Sequence, residues 1–151
     1  MEFNEFLVES KVHMLSGVVL IYENKILLVR PKKFRRKMRK WSIPKGHVED
    51  GMSKLKTALH ELEEESRIKL TKSHLREADK YILNYNKAGV DKKLTLYVVE
   101  VKKNELNVKL FNNMILGNFL KAETIEAGFF SKIDAKKIME RQQLGILKFL
   151  K

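Results

Sequence analysis

The sequence predicts an α/β fold in which a mixed sheet is covered by helices. Apolar runs rich in β-branched residues, at Gly17–Tyr22 and Lys25–Arg30, are typical of two neighbouring strands. After Ser53 the apolar residues recur at helical spacing. More strand-like runs and a second helical pattern follow. Strands, one embedded helix, further strands and a final helix together favour a layered architecture of sheet and helices.

In the first half of the chain, the two strands are predicted to form a hairpin around a tight turn at residues 23–24. The basic stretch at 32–40 has no apolar period and is expected to be a solvated loop. It leads into a short strand at 41–43, which a proline ends. Ser53 is a suitable N-cap for a helix of three to four turns that runs toward Ser66.

The second half of the chain continues the alternation. Residues Asp134–Leu150 carry a helical pattern that Gly145 could interrupt. Residues Asn104–Ala122 mix polar and apolar side chains without a clear period, so they support no prediction. Three strand-like runs are expected, at Lys80–Asn86, Leu94–Val101 and Glu126–Phe130.

Composition limits the kind of protein that this chain can be. With 151 residues, 44% of them hydrophobic, it is long enough for one compact domain, which we expect to span residues 1–151. No run approaches the roughly 18–20 apolar residues of a membrane helix, and residues 1–10 hold no basic side chain, so we expect a cytoplasmic protein without membrane association. Because cysteine is absent, a bound metal would need carboxylate, carbonyl or imidazole ligands, which favours hard ions such as Mg²⁺.

Charge is large and unevenly placed. The 31 Lys and Arg against 19 Asp and Glu give a net charge of +12, which attracts polyanions. Seven of the ten residues at 32–41 are basic, whereas four of the five at 61–65 are acidic. A solvated, lysine-rich surface is one interpretation. The other is a cleft in which a metal and a phosphorylated ligand meet.

Three glutamates of the predicted central helix share one face. Glu61, Glu64 and Glu65 stand at i, i+3 and i+4, while Glu63 points elsewhere. Like charges at this spacing cost a few tenths of a kcal/mol per pair, about 0.2–0.5, and a bound cation would reverse that cost. An ordinary acidic, solvated helix face remains the alternative.

The loop Pro44–Gly51 and the helix that follows it, ending at His60–Ile68, resemble the Nudix box. That motif runs Gly, five residues, Glu, seven residues, then Arg-Glu-aliphatic-any-Glu-Glu-any-Gly-aliphatic. Six positions match at the correct spacing: Gly46, Glu61, Leu62, Glu64, Glu65 and Ile68. Three positions depart from it: Met52 replaces Glu, His60 replaces Arg and Arg67 replaces Gly.

The resemblance implies a Nudix-type α/β/α sandwich and metal-dependent hydrolysis of nucleoside diphosphates linked to another moiety, such as ADP-ribose, diadenosine polyphosphates or FAD. Mg²⁺ or Mn²⁺ is the implied cofactor. The implied metal ligands are Gly46, through its carbonyl, and Glu61, Glu64 and Glu65. The general base stays open among Glu61, Glu123 and Glu126. The catalytic residues that the resemblance implies are Glu61, Glu64, Glu65 and Glu126.

The three departures are expected to change geometry and to spare the metal ligands. Met52 and His60 change together, so an apolar contact could replace the salt bridge of the family motif without loss of stability. Arg67 removes the easy left-handed helix end, so the helix is expected to continue further or to end in a non-glycine cap.

Basic side chains around the box are the candidates for binding substrate phosphates: Arg35, Arg36, Arg39 and Lys45. The expected partner is a phosphorylated, nucleotide-type small molecule, with RNA and a homodimer as further possibilities. Two other functions stay open. One is removal of diphosphate from the 5′ end of RNA, which the net charge favours. The other is a catalytically silent protein of the same fold that binds nucleotide without hydrolysis.

Overall fold

The computed structural model describes residues 12–31, 38–119 and 124–151. Its strands are β1 (His13–Tyr22), β2 (Lys25–Pro31), β3 (Lys45–His47), β4 (Asp79–Lys87), β5 (Val90–Val101), β6 (Leu110–Phe111), β7 (Met114–Ile115) and β8 (Thr124–Phe130). Its helices are α1 (Lys54–Ser66), α2 (Lys72–Arg76) and α3 (Lys132–Ile138), with 3-10 helices at Lys103–Glu105 and Arg141–Phe149. Within the described ranges, no helix has both the length and the apolar character needed to cross a membrane.

The strands form one mixed sheet in the order β4-β5-β1-β2-β8-β7-β6, with β3 paired to β1 outside that path. Strand β1 runs parallel to β5 and antiparallel to β2 and β3. The predicted hairpin is present, with Ile21 paired to Ile26 across a turn in which Glu23 and Asn24 have φ of 51° and 56°. Two left-handed residues in a two-residue loop match the twist of the flanking strands. The predicted α/β class and mixed sheet are confirmed.

Helices cover both faces of the sheet, and the alternation along β1 shows why. Val18 and Leu20 are buried in one cluster with Leu62 of α1, whereas Val19 and Ile21 are buried in a second cluster. The second cluster also contains residues of α3 and of the C-terminal 3-10 helix, including Ala135, Ile146 and Leu147. Because neighbouring residues of a strand face opposite sides, one strand supplies both cores of an α/β/α sandwich.

Helix α1 begins and ends close to the predicted positions. The hydroxyl of Ser53 accepts a hydrogen bond from the Lys56 amide at 3.0 Å, as an N-cap does. The helix ends at Arg67, whose φ of 69° is left-handed and whose amide donates to the Glu63 carbonyl at 2.8 Å. Of the two expected outcomes at Arg67, the non-glycine cap is therefore the one that occurs.

Contacts of Arg67 compensate for its left-handed backbone, which costs a non-glycine residue about 1–2 kcal/mol. Its Nη1 donates to the Leu116 carbonyl at 2.9 Å, and its own carbonyl accepts from Nδ2 of Asn107 at 2.9 Å. The side chain also lies so close to Gly117 that a Cβ there would overlap it. The helix end is thus tied to the chain that follows β7.

The predicted single helix at Asp134–Leu150 is wrong. Helix α3 ends at Ile138, and residues Arg141–Phe149 form a 3-10 helix that contains Gly145. The break follows from pairing with Trp41, whose amide donates to the Ile138 carbonyl at 3.2 Å and whose carbonyl accepts from the Glu140 amide at 3.0 Å. The predicted strand at 41–43 is correspondingly reduced to isolated bridges, Val29 with Ser42 and Trp41 with Met139.

Candidate active site

A cleft of about 580 Å³ lies between α1, strand β3 and the start of β5. Its lining includes acidic side chains of α1 and two lysines from strands β3 and β5. The polar side chains that matter for its chemistry are Lys45, His60, Glu61, Glu64, Glu65 and Lys92. Opposite charges therefore line one space. The sequence predicted the acidic side chains of the helix, but it did not predict Lys92.

Two contacts fix the helix against the sheet at this cleft. The hydroxyl of Ser16, fully buried on β1, donates to the Lys54 carbonyl in the first turn of α1 at 2.7 Å. Pairing of Ser16 with Gly46 in β3 then places Gly46 beside the helix. A Cβ at Gly46 would overlap the carboxyl group of Glu61. Only glycine lets the backbone of β3 approach that carboxylate so closely.

Glu65 is the most buried of the three carboxylates, with 7% of the residue exposed. Its Oε1 accepts a hydrogen bond from the Lys45 amide at 3.3 Å, which ties the helix to strand β3. Burial lowers the pKa of the Lys45 ammonium, and the nearby carboxylates of Glu140 and Glu65 oppose that shift. Glu65 thus has a fixed orientation and a cation in its surroundings.

Glu64 and Glu61 form a tighter group with His60. Each of the three side chains offers a ligand atom, and these atoms lie within 4.8 Å of one another. Nε2 of His60 lies 3.2 Å from Oε2 of Glu64. Glu63 lies off this face, with Oε2 3.5 Å from Nζ of Lys69. Glu61 and Glu64 thus share one face with His60, whereas Glu63 is separate from it. Glu65 lines the same cleft but does not belong to this close group.

This donor set fits a divalent metal ion. Three glutamates of α1 and Glu49 line one cleft, and the backbone of Gly46 lies directly beside Glu61. Hard dications take such oxygen ligands. The gathered negative charge, otherwise a cost to the helix, is what a cation would neutralise.

The structure brings Lys45 to the cleft but directs Arg39 elsewhere. Nη1 of Arg39 donates to the carbonyls of Lys136 and Lys137, at 2.8 Å and 3.1 Å, at the C-terminal end of α3. A guanidinium is favourable at the negative end of a helix, so this position has a structural explanation. The other predicted phosphate-binding residues, Arg35 and Arg36, lie outside the described residues.

Of the candidate general bases, Glu126 does not line the cleft and Glu123 is not among the residues that the structure describes. Oε1 of Glu126 accepts hydrogen bonds from Arg30 at 2.9 Å, and Glu126 is not among the residues that line the cleft. Glu123 lies outside the described residues. Of the three candidates, Glu61 is the one that the described structure places in the cleft.

Sequence reasoning missed Lys92, and it treated His60 as a residue at the surface or next to the metal ligands and not as a ligand itself. Lys92 comes from the start of β5, which reaches the cleft because β5 runs parallel to β1, pairing Lys92 with His13. The sequence shows two adjacent lysines at 92–93 before an apolar run. It does not show that this run pairs in parallel with β1. Burial, and then the charge of Lys92, lower the pKa of His47 at the same edge.

Comparisons with known proteins identify the family of this chain. The NUDIX domain model matches residues 12–146, so the chain belongs to the Nudix family. An asymmetrical bis(5′-nucleosyl)-tetraphosphatase from Sus scrofa is 39% identical over 70 residues, which are 46% of this chain and 48% of that protein. The chain thus spans about half the length of the curated relatives it matches.

Solved structures extend the likeness to most of the chain. A C. elegans Ap4A hydrolase in a binary complex has a TM-score of 0.63 and 20% identity, covering 91% of this chain and 93% of that one. A bifunctional NMN adenylyltransferase/ADP ribose pyrophosphatase from Francisella tularensis, complexed with AMP and a Mn ion, has a TM-score of 0.63 and 17% identity, covering 96% of this chain and 44% of that one. These likenesses show the fold, and the expected Nudix-type sandwich is confirmed.

Proposed function

We propose that this chain is a metal-dependent hydrolase that cleaves the pyrophosphate linkage of dinucleoside polyphosphates and of ADP compounds such as ADP-ribose or FAD. The observation that carries the proposal is the division of charge in one cleft. Three carboxylates of α1 line the cleft, one of them beside Gly46, and Lys45 and Lys92 line the same space. A polyphosphate needs cations along its length and a metal at the bond that breaks.

Glu64 and Glu65 would hold the metal, together with the Gly46 carbonyl, and Glu61 would be a further ligand or the group that accepts a proton from water. A bound Mg²⁺ or Mn²⁺ would neutralise charge on the phosphate oxygens and lower the pKa of an attacking water. Glu65 is oriented by the Lys45 amide, which favours a ligand of fixed position. Glu61 is held against Gly46 and can orient water within hydrogen-bond reach.

The basic side chains position the substrate. Lys45 and Lys92 line the cleft, so their positive charge favours a phosphorylated ligand there. The family motif and the similarity to a bis(5′-nucleosyl)-tetraphosphatase support a substrate with several linked phosphates. The neighbouring ADP ribose pyrophosphatase fold supports the ADP compounds.

A substrate panel tests this proposal. Purified protein is incubated with diadenosine polyphosphates, ADP-ribose, FAD, nucleoside triphosphates and triphosphorylated RNA, with and without Mg²⁺ or Mn²⁺, and products are separated by chromatography. We expect metal-dependent cleavage of diadenosine tetraphosphate to ATP and AMP, with weaker action on the triphosphates. If triphosphorylated RNA were the sole substrate hydrolysed, RNA would replace dinucleotides and ADP compounds as the substrate class. RNA is included in the panel because the net charge of +12 favours binding to a polyanion. Nucleotide binding without any hydrolysis would overturn the proposal.

A further inference from the structure

We propose that His60 supplies an imidazole ligand to the metal site, so that the site favours ions that accept nitrogen, such as Mn²⁺ or Co²⁺, over Mg²⁺. This inference rests on the proposed function, because it concerns the same metal. It goes beyond the carboxylate set, since the family motif has an arginine at this position, and a guanidinium stays protonated and cannot ligate a cation.

The position of His60 is the first argument. Its ring nitrogen, an oxygen of Glu61 and an oxygen of Glu64 all lie within 4.8 Å of one another. Donor atoms at about 2.0–2.2 Å from one ion lie roughly 3–4 Å apart, so small side-chain rotations bring the three into range. His60 also lines the same cleft as the three glutamates. The imidazole therefore belongs to the group of donors that would surround an ion.

The freedom of the side chain to rotate is the second argument. The side chain of His60 is 54% exposed, and that of Glu64 is 34% exposed. Their contact, Nε2 to Oε2 at 3.2 Å, is local to one turn of the helix. An exposed i,i+4 contact of this kind is worth only about 0.3–0.5 kcal/mol, so little is lost when both groups turn toward a cation.

Ligand chemistry decides which ions gain from the imidazole. Mg²⁺ demands oxygen ligands in near-ideal octahedral geometry and keeps several waters, so an imidazole adds little to its binding. Mn²⁺ and Co²⁺ accept nitrogen more readily than Mg²⁺, and affinity generally rises from Mn²⁺ to Co²⁺. The affinities for Mg²⁺ and for Mn²⁺ or Co²⁺ therefore differ more at a site of two or three carboxylates with one imidazole than at a site of carboxylates alone.

His74 provides a matched control. Its Nε2 also lies close to a glutamate, 3.1 Å from Oε2 of Glu105, but Nδ1 is engaged with the amide of Thr71 at 3.1 Å. Within the described part of the chain, His74 belongs to no group of three metal-ligating side chains. A His74→Gln variant loses a His–Glu contact of similar length without touching the cleft.

The experiment measures metal binding directly, without substrate. Mn²⁺ and Mg²⁺ are titrated calorimetrically into the wild type and the variants His60→Gln, His74→Gln and Glu64→Gln. Spin-echo spectroscopy of the Mn²⁺ complex detects coupling to a ligand nitrogen. Loss of even an outer-shell partner lowers metal affinity about 10–100-fold, so we expect His60→Gln to weaken Mn²⁺ at least about tenfold while Mg²⁺ changes less than about threefold. The nitrogen coupling should disappear in His60→Gln and persist in His74→Gln.

Two further outcomes separate the inference from the proposed function. If Glu64→Gln weakens both ions but His60→Gln changes neither affinity nor the spectrum, the imidazole ligand is overturned and the hydrolase proposal stands. If Glu64→Gln binds both ions as the wild type does, the carboxylate site itself is overturned, and the imidazole ligand with it.

Discussion

Among the residues that the structure describes, two histidine–glutamate contacts have nearly equal length. His60 lies 3.2 Å from Glu64, and His74 lies 3.1 Å from Glu105. The surroundings of the two pairs differ completely. The first pair lies beside Glu61 in the cleft, whereas the second connects the start of α2 to the 3-10 helix at Lys103–Glu105.

The hydrogen bonds of the second pair are structural. Thr71 and His74 form a capping box, in which the Thr71 hydroxyl accepts from the His74 amide and Nδ1 of His74 accepts from the Thr71 amide. Glu105 accepts from the Lys102 amide through Oε1 at 2.7 Å. His74 and Glu105 therefore each hold local backbone through one atom and contact each other through another. The two pairs thus differ in the groups beside them and not in the contact itself: a further carboxylate lies beside the first pair, and backbone amides lie beside the second.

The largest expected effect comes from the carboxylates of the first region. Glu64→Gln or Glu65→Gln should lower kcat for the best substrate at least about 100-fold, because an amide keeps the shape but removes the charge that holds a dication. Steady-state kinetics with saturating Mg²⁺ and Mn²⁺ measure this loss.

Two glutamine variants serve as controls for that experiment. Glu63→Gln removes only the half-exposed pair with Lys69, worth at most about 1 kcal/mol, and should keep near-wild-type turnover. Glu105→Gln breaks the other histidine–glutamate contact and should also keep its activity. Equal losses in all of these variants would remove the distinction between the two regions.

The next effect tests how closely Glu61 is held. Gly46→Ala introduces a Cβ that overlaps the carboxyl group of Glu61, so this flexible side chain must rotate away from its position. Because a side chain can shift without moving the backbone, we expect little loss of stability in urea but a large loss of activity. Gly145→Ala is the control, since a Cβ there meets nothing within 4 Å. Wild-type turnover in Gly46→Ala would show that the position of Glu61 is not critical.

The smallest effect concerns the second region and depends on pH. The hydrogen bond from the Lys102 amide, and then that with His74, lower the pKa of the Glu105 carboxyl below its usual value. A lowered pKa contributes stability above the ordinary glutamate pKa, and this stability is lost as pH falls through the lowered pKa. Glu105→Gln should therefore reduce Tm slightly at pH 7, and the difference from the wild type should shrink as the buffer is made acidic. A difference that grows toward acidic pH would contradict this assignment.

The sequence predicted α1 and its acidic face well because both depend on local spacing. Ser53 caps the helix, and the separation of Glu61, Glu64 and Glu65 fixes their common face whatever the rest of the fold does. The same holds for the β1–β2 hairpin, whose turn is determined by two adjacent residues.

Features that depend on distant contacts could not be predicted in this way. Lys92 reaches the cleft through the parallel pairing of β5 with β1, and Arg39 is drawn to the end of α3 by two carbonyls almost 100 residues away. The break after Ile138 depends on backbone pairing with Trp41. None of these partners is close in sequence, so periodicity and motif spacing carry no signal for them.

The most direct test of the central claim is a thermal melt with and without metal for the wild type, Glu64→Gln and Glu63→Gln. An ion that binds the folded state stabilises it by about 2.7 kcal/mol at a concentration 100 times its Kd. If the acidic face of α1 is the metal site, each ion, Mg²⁺ or Mn²⁺, should raise the Tm of Glu63→Gln as much as it raises the Tm of the wild type. Each ion should raise the Tm of Glu64→Gln far less. The same rise in all three proteins would contradict the claim that this helix face is the metal site.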